Sequence, residues 1–198
     1  MKDISQKESR LLIPILNSKL SFNLFDAEKT YLQLEGLSFF ENYNLISAKT
    51  FSTIPLVTID YLWNRTNNDV VKLDGTRDCI FDNLEKLGLN INDDNIIDYL
   101  KFVLGNIQSE QGTLRLVQSI DDVEYSQIPT QDEIAFLTVN IKSAKVEIED
   151  ETCVITCNMI YGDILFVAEI EMFTDGTFEF VSEQKLKDGL PIRQIFLE

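Results

Sequence analysis

Two glutamates, Glu169 and Glu171, are the residues whose type and spacing come closest to a catalytic pair. They alternate along a predicted strand, so both side chains lie on one face, with Cα atoms roughly 6.6 Å apart. A carboxylate pair at such a separation can supply the acid and the base of glycoside hydrolysis. The pattern is equally typical of the solvated face of an antiparallel strand, where Lys145 and Thr156 would be neighbours. The solvated face is the favoured interpretation.

The chain contains no histidine. Histidine-based triads, cysteine–histidine dyads and histidine-ligated zinc sites all need an imidazole, so these classes of site are excluded. Cys79, Cys153 and Cys157 lie on predicted apolar faces without an obvious base nearby. We interpret them as small buried hydrophobic residues. The sequence therefore predicts no cofactor and no metal site.

Three further motifs fail on their context. Ser182 and Lys185 match Ser-x-x-Lys, but they end a predicted strand, and the companion motifs of hydrolases that use this pair are missing. Asn90, Asn92 and Asp94 have the spacing of calcium ligands, yet the glycine and the glutamate that such a loop needs are absent. The eight glycines are not clustered, which excludes glycine-rich nucleotide loops.

Trp63, Phe178 and Phe180 are the aromatic candidates for a binding surface. Aromatic side chains on a partly exposed sheet face anchor partners in many interfaces. The alternative, which we favour, is that they pack in the core. The candidate binding residues are thus Glu169, Glu171, Phe178 and Phe180.

Charge is the unusual feature of the composition. The chain has 33 acidic and 17 basic residues, and residues 76–198 carry 24 of the acids against 9 bases. Such a field repels nucleic acid and would steer a basic partner toward the C-terminal half. A solubility role explains the same charge and is the favoured interpretation of it.

Leu11 begins the one early apolar run, and Pro14 interrupts it, so we predict no signal peptide. No run approaches the ~18 apolar residues of a membrane span. The three cysteines are an odd number, which favours a reducing compartment. We therefore expect a cytoplasmic protein that binds neither membrane nor nucleic acid.

Residues 144–183 read as a four-stranded antiparallel meander. The pairs Gly162-Asp163 and Asp175-Gly176 are typical of two-residue hairpin turns, and an acidic turn is expected at Asp150-Glu151. Because register follows turn length, the first hairpin pairs the following residues: Tyr161 with Ile164, Met159 with Phe166, Cys157 with Ala168, Ile155 with Ile170, and Cys153 with Met172. The other turns predict Ile170 opposite Val181, Ile148 opposite Cys153 and Val146 opposite Ile155.

Upstream, alternation predicts strands over 11–16, 30–37, 44–49 and 54–63. Helices are expected over 77–87, ending at Gly88, over about 92–105, and after a capping box at Thr130 and Glu133. We predict an α+β fold: a β-rich N-terminal half, residues 1–75, then an acidic half, residues 76–198, in which helices pack on the C-terminal meander.

Three functional hypotheses follow. The first is a non-catalytic intracellular interaction protein, of the inhibitor, immunity or adaptor type, that presents an acidic surface to a basic partner. The second is a small-molecule-binding protein or hydrolase that uses Glu169 and Glu171. The third is a structural subunit that self-associates through the edge formed by Phe173, Phe178 and Phe180. Whether the protein is an enzyme stays open, and a non-catalytic role is favoured.

Overall fold

A computed structural model describes residues 1–149 and 152–197 of the chain. The fold is mixed α+β, as predicted, and it divides into two compact units, residues 1–95 and 96–197. The predicted division between residues 75 and 76 falls inside the first unit. The acidic turn expected at Asp150-Glu151 lies outside the described residues.

The N-terminal unit contains a five-stranded antiparallel sheet, which confirms the β-rich half. Its strands follow one another in space in the order of the sequence. They are β1 (Lys2–Asp3), β2 (Thr30–Gly36), β3 (Tyr43–Thr50), β4 (Val57–Asn64) and β5 (Asp69–Lys72). Residues 65–68 form the turn between β4 and β5.

The strand predicted over 11–16 is wrong, because this segment belongs to helix α1 (Gln6–Asn17). Ser5 caps the helix by accepting a hydrogen bond from the backbone N–H of Glu8, at 3.3 Å. The buried positions follow a helical period: Ser9, Leu12, Ile13, Leu16 and Asn17. Pro14 lies on the exposed side of α1. The window 11–16 alone was too short to reveal this period.

One face of the N-terminal sheet forms a core with α1. Leu32, Ala48 and Ile59 lie in one row across β2, β3 and β4, and all are buried. Leu12 and Leu16 of α1 pack into the same cluster. Burial of apolar surface on this scale is what holds a sheet and its covering helix together.

The helix predicted over 77–87 consists of two short turns, α2 (Asp78–Phe81) and α3 (Leu84–Leu87). Asp82 and Asn83 separate them, and the Asn83 side chain donates to the carbonyl of Cys79 at 3.0 Å. The predicted glycine cap is confirmed, since Gly88 has a positive φ of 69° at the end of α3.

The C-terminal unit is built on a second antiparallel sheet. The four predicted strands are present, and a fifth, β8, pairs with the end of β10. The elements of this unit are α4 (Ile96–Gly105), β6 (Gln108–Ser109), β7 (Gly112–Thr113), β8 (Arg115–Val117), a 3-10 helix (Ile120–Asp122), α5 (Gln131–Asn140), β9 (Lys145–Glu149), β10 (Thr152–Tyr161), β11 (Ile164–Phe173) and β12 (Phe178–Lys187). β12 is the outermost strand, beside β11.

The predicted register is confirmed on both sides of β10. All five predicted pairs between β10 and β11 are present, as are the pairs of Ile148 with Cys153 and of Val146 with Ile155. The register of β12 differs, because Ile170 lies opposite Phe180 and not Val181. The turn before β12 has three residues: Phe173 N–H donates to the Thr177 carbonyl at 2.8 Å, and Gly176 is the third loop residue, with a φ of 86°.

Two bulges in β12 adjust this register. Val181 is the extra residue between the partners of Glu169 and Ile170, and Leu186 is the extra residue between those of Leu165 and Phe166. The bulge at Val181 compensates for the longer turn, so residues before it occupy the opposite face from the one predicted.

Helix α4 is held against the turn before β12, because the Tyr99 hydroxyl donates to the Gly176 carbonyl at 2.8 Å. Helix α5 begins with the predicted capping box, in which Thr130 and Glu133 exchange hydrogen bonds. Leu137 of α5 packs in a cluster with Ile160 and Leu165 of the sheet. No described helix is both long enough and apolar enough to traverse a lipid bilayer.

Residues 188–197 lie across the C-terminal unit as an extended segment. Backbone hydrogen bonds fix it at three places: Leu190 N–H to Asp163, Arg193 N–H to Glu124, and Thr113 N–H to the Ile195 carbonyl at 2.8 Å. The extended segment therefore ties together the turn before β11, the loop before α5 and the small β6–β7 hairpin.

Candidate functional site

The two faces of the C-terminal sheet differ in how they are covered. The first face contains Ile155, Met159, Ala168, Ile170 and Met172, and all of them are buried. The second face is covered at one end only, where α5 and Leu190 pack over Ile160 and Leu165. The other end of the second face is the candidate site.

We call this uncovered half the open face. Two neighbouring rows of four residues cross it from β9 to β12: Lys145, Thr156, Glu169 and Ser182, and then Glu147, Val154, Glu171 and Glu179. Glu147 and Glu179 are exposed, and Glu169 and Glu171 are half-buried. These two rows thus contain four carboxylates and one lysine, Lys145.

Glu171 and Glu179 lie directly opposite each other on adjacent strands. Cα atoms in this relation are about 4.5–5.5 Å apart, and like charges there destabilise a sheet. Within the described part of the chain, neither carboxylate forms a hydrogen bond or an ion pair. Any repulsion between these two opposed positions is therefore not offset by an ion pair within the described residues.

The structure brings together only some of the four predicted site residues. Glu169 and Glu171 share the open face, as predicted. Phe178 and Phe180 do not, because the three-residue turn places them opposite Met172 and Ile170 on the first face. Phe178 is only 5% exposed and Phe180 is 36% exposed. Their rings pack edge to face, with the ring centroids 6.4 Å apart. Phe178 therefore offers almost no surface for self-association.

Sequence reasoning missed Glu179, the residue that completes the acidic group. With a two-residue turn it would lie on the first face opposite Met172. The signal that could have placed it is Gly176, since a glycine in the third position of a hairpin loop is typical of three-residue turns.

The groups suited to nucleophilic catalysis are inactive in this arrangement. Ser182 lies on the open face, opposite Glu169, whereas Lys185 lies on the first face, opposite Phe166, so the lysine cannot activate the serine. Burial raises the pKa of the Cys157 thiol to about 12, and it also raises the pKa of Cys79 and of Cys153. The thiol form therefore prevails at neutral pH.

No three or more Cys, Asp or Glu side chains among residues 1–149 and 152–197 are grouped in a way that could hold a metal ion. The four glutamates of the open face are thus spread across the sheet, not gathered around one point. A spread of this kind suits an extended, positively charged surface better than a single ion.

A second polar group lies in the N-terminal unit, on the face of its sheet that α1 does not cover. Gln33, Ser47 and Asp60 form one row across β2, β3 and β4, and the Ser47 hydroxyl donates to the Asp60 carboxylate. Burial raises the pKa of Asp60, and the hydrogen bond from Ser47 opposes this with a smaller effect. Sequence reasoning missed this row, although Asp60 interrupts an apolar strand.

Replacing Asp60 with asparagine is expected to stabilise the protein at pH 7. A raised folded-state pKa means that stability is highest below the pKa of an unfolded aspartate, about 4, and falls as the pH rises through the folded value. Asparagine removes the buried charge and still accepts from Ser47. We expect a gain on the order of 1 kcal/mol, or a few degrees in Tm, at pH 7 and none at pH 3.

Asp74→Asn is the matched control for thermal unfolding at the two pH values. Two hydrogen bonds from Thr76, at 2.6 and 2.9 Å, lower the pKa of Asp74, so this variant should lose stability at pH 7. Equal Tm changes in both variants would contradict the assignment of Asp60.

Comparisons with protein-family models, with curated proteins and with solved structures find no significant match to this chain, so function is inferred from its own residues.

Proposed function

We propose that this protein is a non-catalytic interaction protein whose open face binds a basic surface on a partner protein. The observation that carries the proposal is the direct opposition of Glu171 and Glu179, next to Glu169 and Glu147, with no described cation paired to any of them. Lysine or arginine side chains of a partner would relieve a repulsion that the isolated fold tolerates.

The charge of the C-terminal unit supports the same function. Residues 96–197 contain 18 acidic and 7 basic residues, a net charge of −11, whereas residues 1–95 contain 14 and 10. A field of this sign speeds the encounter with a basic protein and opposes binding to nucleic acid. The proposed setting is intracellular, in the manner of an inhibitor, an immunity protein or an adaptor.

A comparison of three immobilised proteins in the same native lysate tests the proposal. The first is the wild-type chain, and the second carries Glu169→Gln, Glu171→Gln and Glu179→Gln on the open face. The third carries Asp98→Asn, Glu110→Gln and Asp132→Asn, which change the net charge equally at exposed positions elsewhere in the unit. We expect a basic protein that the first and third retain at low salt and the second releases.

The captured protein, once purified, should bind with an affinity that falls as salt rises from about 50 to 300 mM, because the contact is between exposed charges. Loss of at least tenfold in affinity is expected for the open-face variant. If all three proteins capture the same partners, the open face is not the binding surface.

Glu179→Gln alone is expected to stabilise the free protein while weakening its binding. Removal of one carboxylate relieves the repulsion with Glu171, for a gain of about a few tenths of a kcal/mol at low salt. Urea unfolding at 20 mM and 500 mM NaCl checks this, because salt should abolish the gain. Glu110→Gln is the control; an equal gain there would mean that net charge, not the pair, is responsible.

A further inference from the structure

A pocket of about 460 Å³ opens on the first face of the C-terminal sheet, away from the open face. Tyr161, Ile164 and Phe166 form its wall on β10 and β11, and Leu114 and Ser109 close it from the segment around β7. Its volume lies within the range of small-molecule sites, about 300–1,000 Å³. Apolar and aromatic walls of this kind give a ligand most of its binding energy.

Strand β12 supplies two charged side chains to this pocket, Glu183 and Lys185. They lie on the first face opposite Ala168 and Phe166. The ammonium of Lys185 is already paired, since Nζ is 2.6 Å from Asp188 Oδ2. Glu183 forms no hydrogen bond or ion pair within residues 1–149 and 152–197. The one unmatched charge of the pocket is therefore negative.

The aromatic walls of the pocket also favour a positively charged ligand. The faces of Tyr161 and Phe166 carry the negative part of the ring quadrupole, which attracts a cation within about 6 Å. A cationic group in the pocket can thus be attracted by the Glu183 carboxylate, and the aromatic wall adds to that attraction, while an apolar body fills the space beside Ile164. An anion would meet Glu183 and the net negative charge of the unit.

We propose that this pocket binds a small organic cation, a primary amine that carries an apolar body. The pocket is separate from the open face, so amine binding can be tested independently of the proposed partner binding. Glu183 and Glu179 make this independence testable, because they are two carboxylates of one strand on opposite faces of the sheet.

Three probes of similar shape test the charge: 2-phenylethylamine, 2-phenylethanol and 3-phenylpropionate. Calorimetry at about 150 mM salt should show saturable binding of the amine, at least tenfold weaker binding of the alcohol, and none of the carboxylate. Amide chemical-shift changes should map to residues 161–166 and 183–185. Equal binding of the three probes, or shift changes confined to other residues, would overturn the proposal.

Two matched variants test the residue. Glu183→Gln should weaken the amine about tenfold and leave the alcohol unchanged, whereas Glu179→Gln should leave the amine unchanged. A Tm no lower than that of the wild type in each variant excludes unfolding as the cause, since both positions are exposed. Amine binding that survives Glu183→Gln, or that falls equally in both variants, overturns the assignment of Glu183.

Discussion

Replacing Asn17 with alanine is expected to lower the free energy of unfolding by about 3 kcal/mol, which is a Tm decrease of roughly 6–12 °C. The Asn17 side chain is buried at the end of α1 and makes three hydrogen bonds to the following loop. Its Nδ2 donates to the Phe25 carbonyl at 2.8 Å, and its Oδ1 accepts from the N–H groups of Leu24 and Phe25, at 3.1 and 2.9 Å.

The cost is large because alanine leaves both backbone groups of Phe25 without a partner. Phe25 is 5% exposed, so water reaches these groups poorly, and its ring packs edge to face on Tyr61. An unpaired buried polar group costs about 1–3 kcal/mol. Urea unfolding followed by circular dichroism measures the change.

Ser18→Ala is the control for Asn17→Ala. Ser18 is the next residue and is exposed, and its hydroxyl donates one hydrogen bond, to the Ile15 carbonyl at 2.6 Å. Its replacement should cost less than about 0.5 kcal/mol, as for most surface changes. Similar losses in the two variants would show that the Asn17 bonds do not hold the loop.

Replacing Gly112 with alanine is expected to cost about 3 kcal/mol and to release the extended segment 188–197. Gly112 has a φ of 95°, and a Cβ built there would lie 2.4 Å from the carbonyl oxygen of Ile195. That oxygen accepts from Thr113 N–H at 2.8 Å, so the segment can avoid the methyl group only by giving up this bond. Faster amide exchange at Thr113, Leu190 and Arg193 should accompany the loss of stability.

Gly189→Ala is the control that distinguishes a clash of the new methyl group from the cost of a left-handed backbone conformation. Gly189 also has a positive φ, 67°, but no atom lies within 4 Å of its would-be Cβ. We expect a cost of about 1 kcal/mol, from the left-handed backbone alone, and unchanged exchange at Thr113. Equal losses in the two variants would contradict a close contact between Gly112 and the extended segment.

The parts of the fold that short-range chemistry determines were predictable from the sequence. The two-residue turn at Gly162 and Asp163 fixed all five predicted pairs between β10 and β11. The capping box at Thr130 and the glycine cap at Gly88 were correct for the same reason, because each depends on residues within one helical turn.

The incorrect predictions concern elements whose structure depends on more of the chain than the few residues considered. Leu12 and Leu16 look like part of a strand in a six-residue window, but their burial follows α1 over twelve residues. The register of β12 depends on one extra residue in the turn at Gly176 and on a bulge at Val181 that compensates for it. Gly176 signals the longer turn, whereas the bulge at Val181 is seen only in the pairing of β12 with β11.

The candidate site was half predictable for the same physical reasons. Alternation along β11 placed Glu169 and Glu171 on one face. The position of Glu179 required the correct register of β12, and the extent of the open face required knowing that α5 covers only the end around Ile160. The pocket beside Glu183 assembles three separated segments, which spacing cannot reveal.

The two bulges of β12 bear on how this protein avoids aggregation. β12 is ten residues long and forms one edge of its sheet, and a straight edge of that length would be a template for pairing with a second chain. The irregularities at Val181 and Leu186 break the even spacing of its outward N–H and C=O groups, and Glu183 and Lys185 add charge along it. Association through strand addition is therefore disfavoured at this edge, which leaves the sheet faces as the surfaces through which β12 can take part in recognition.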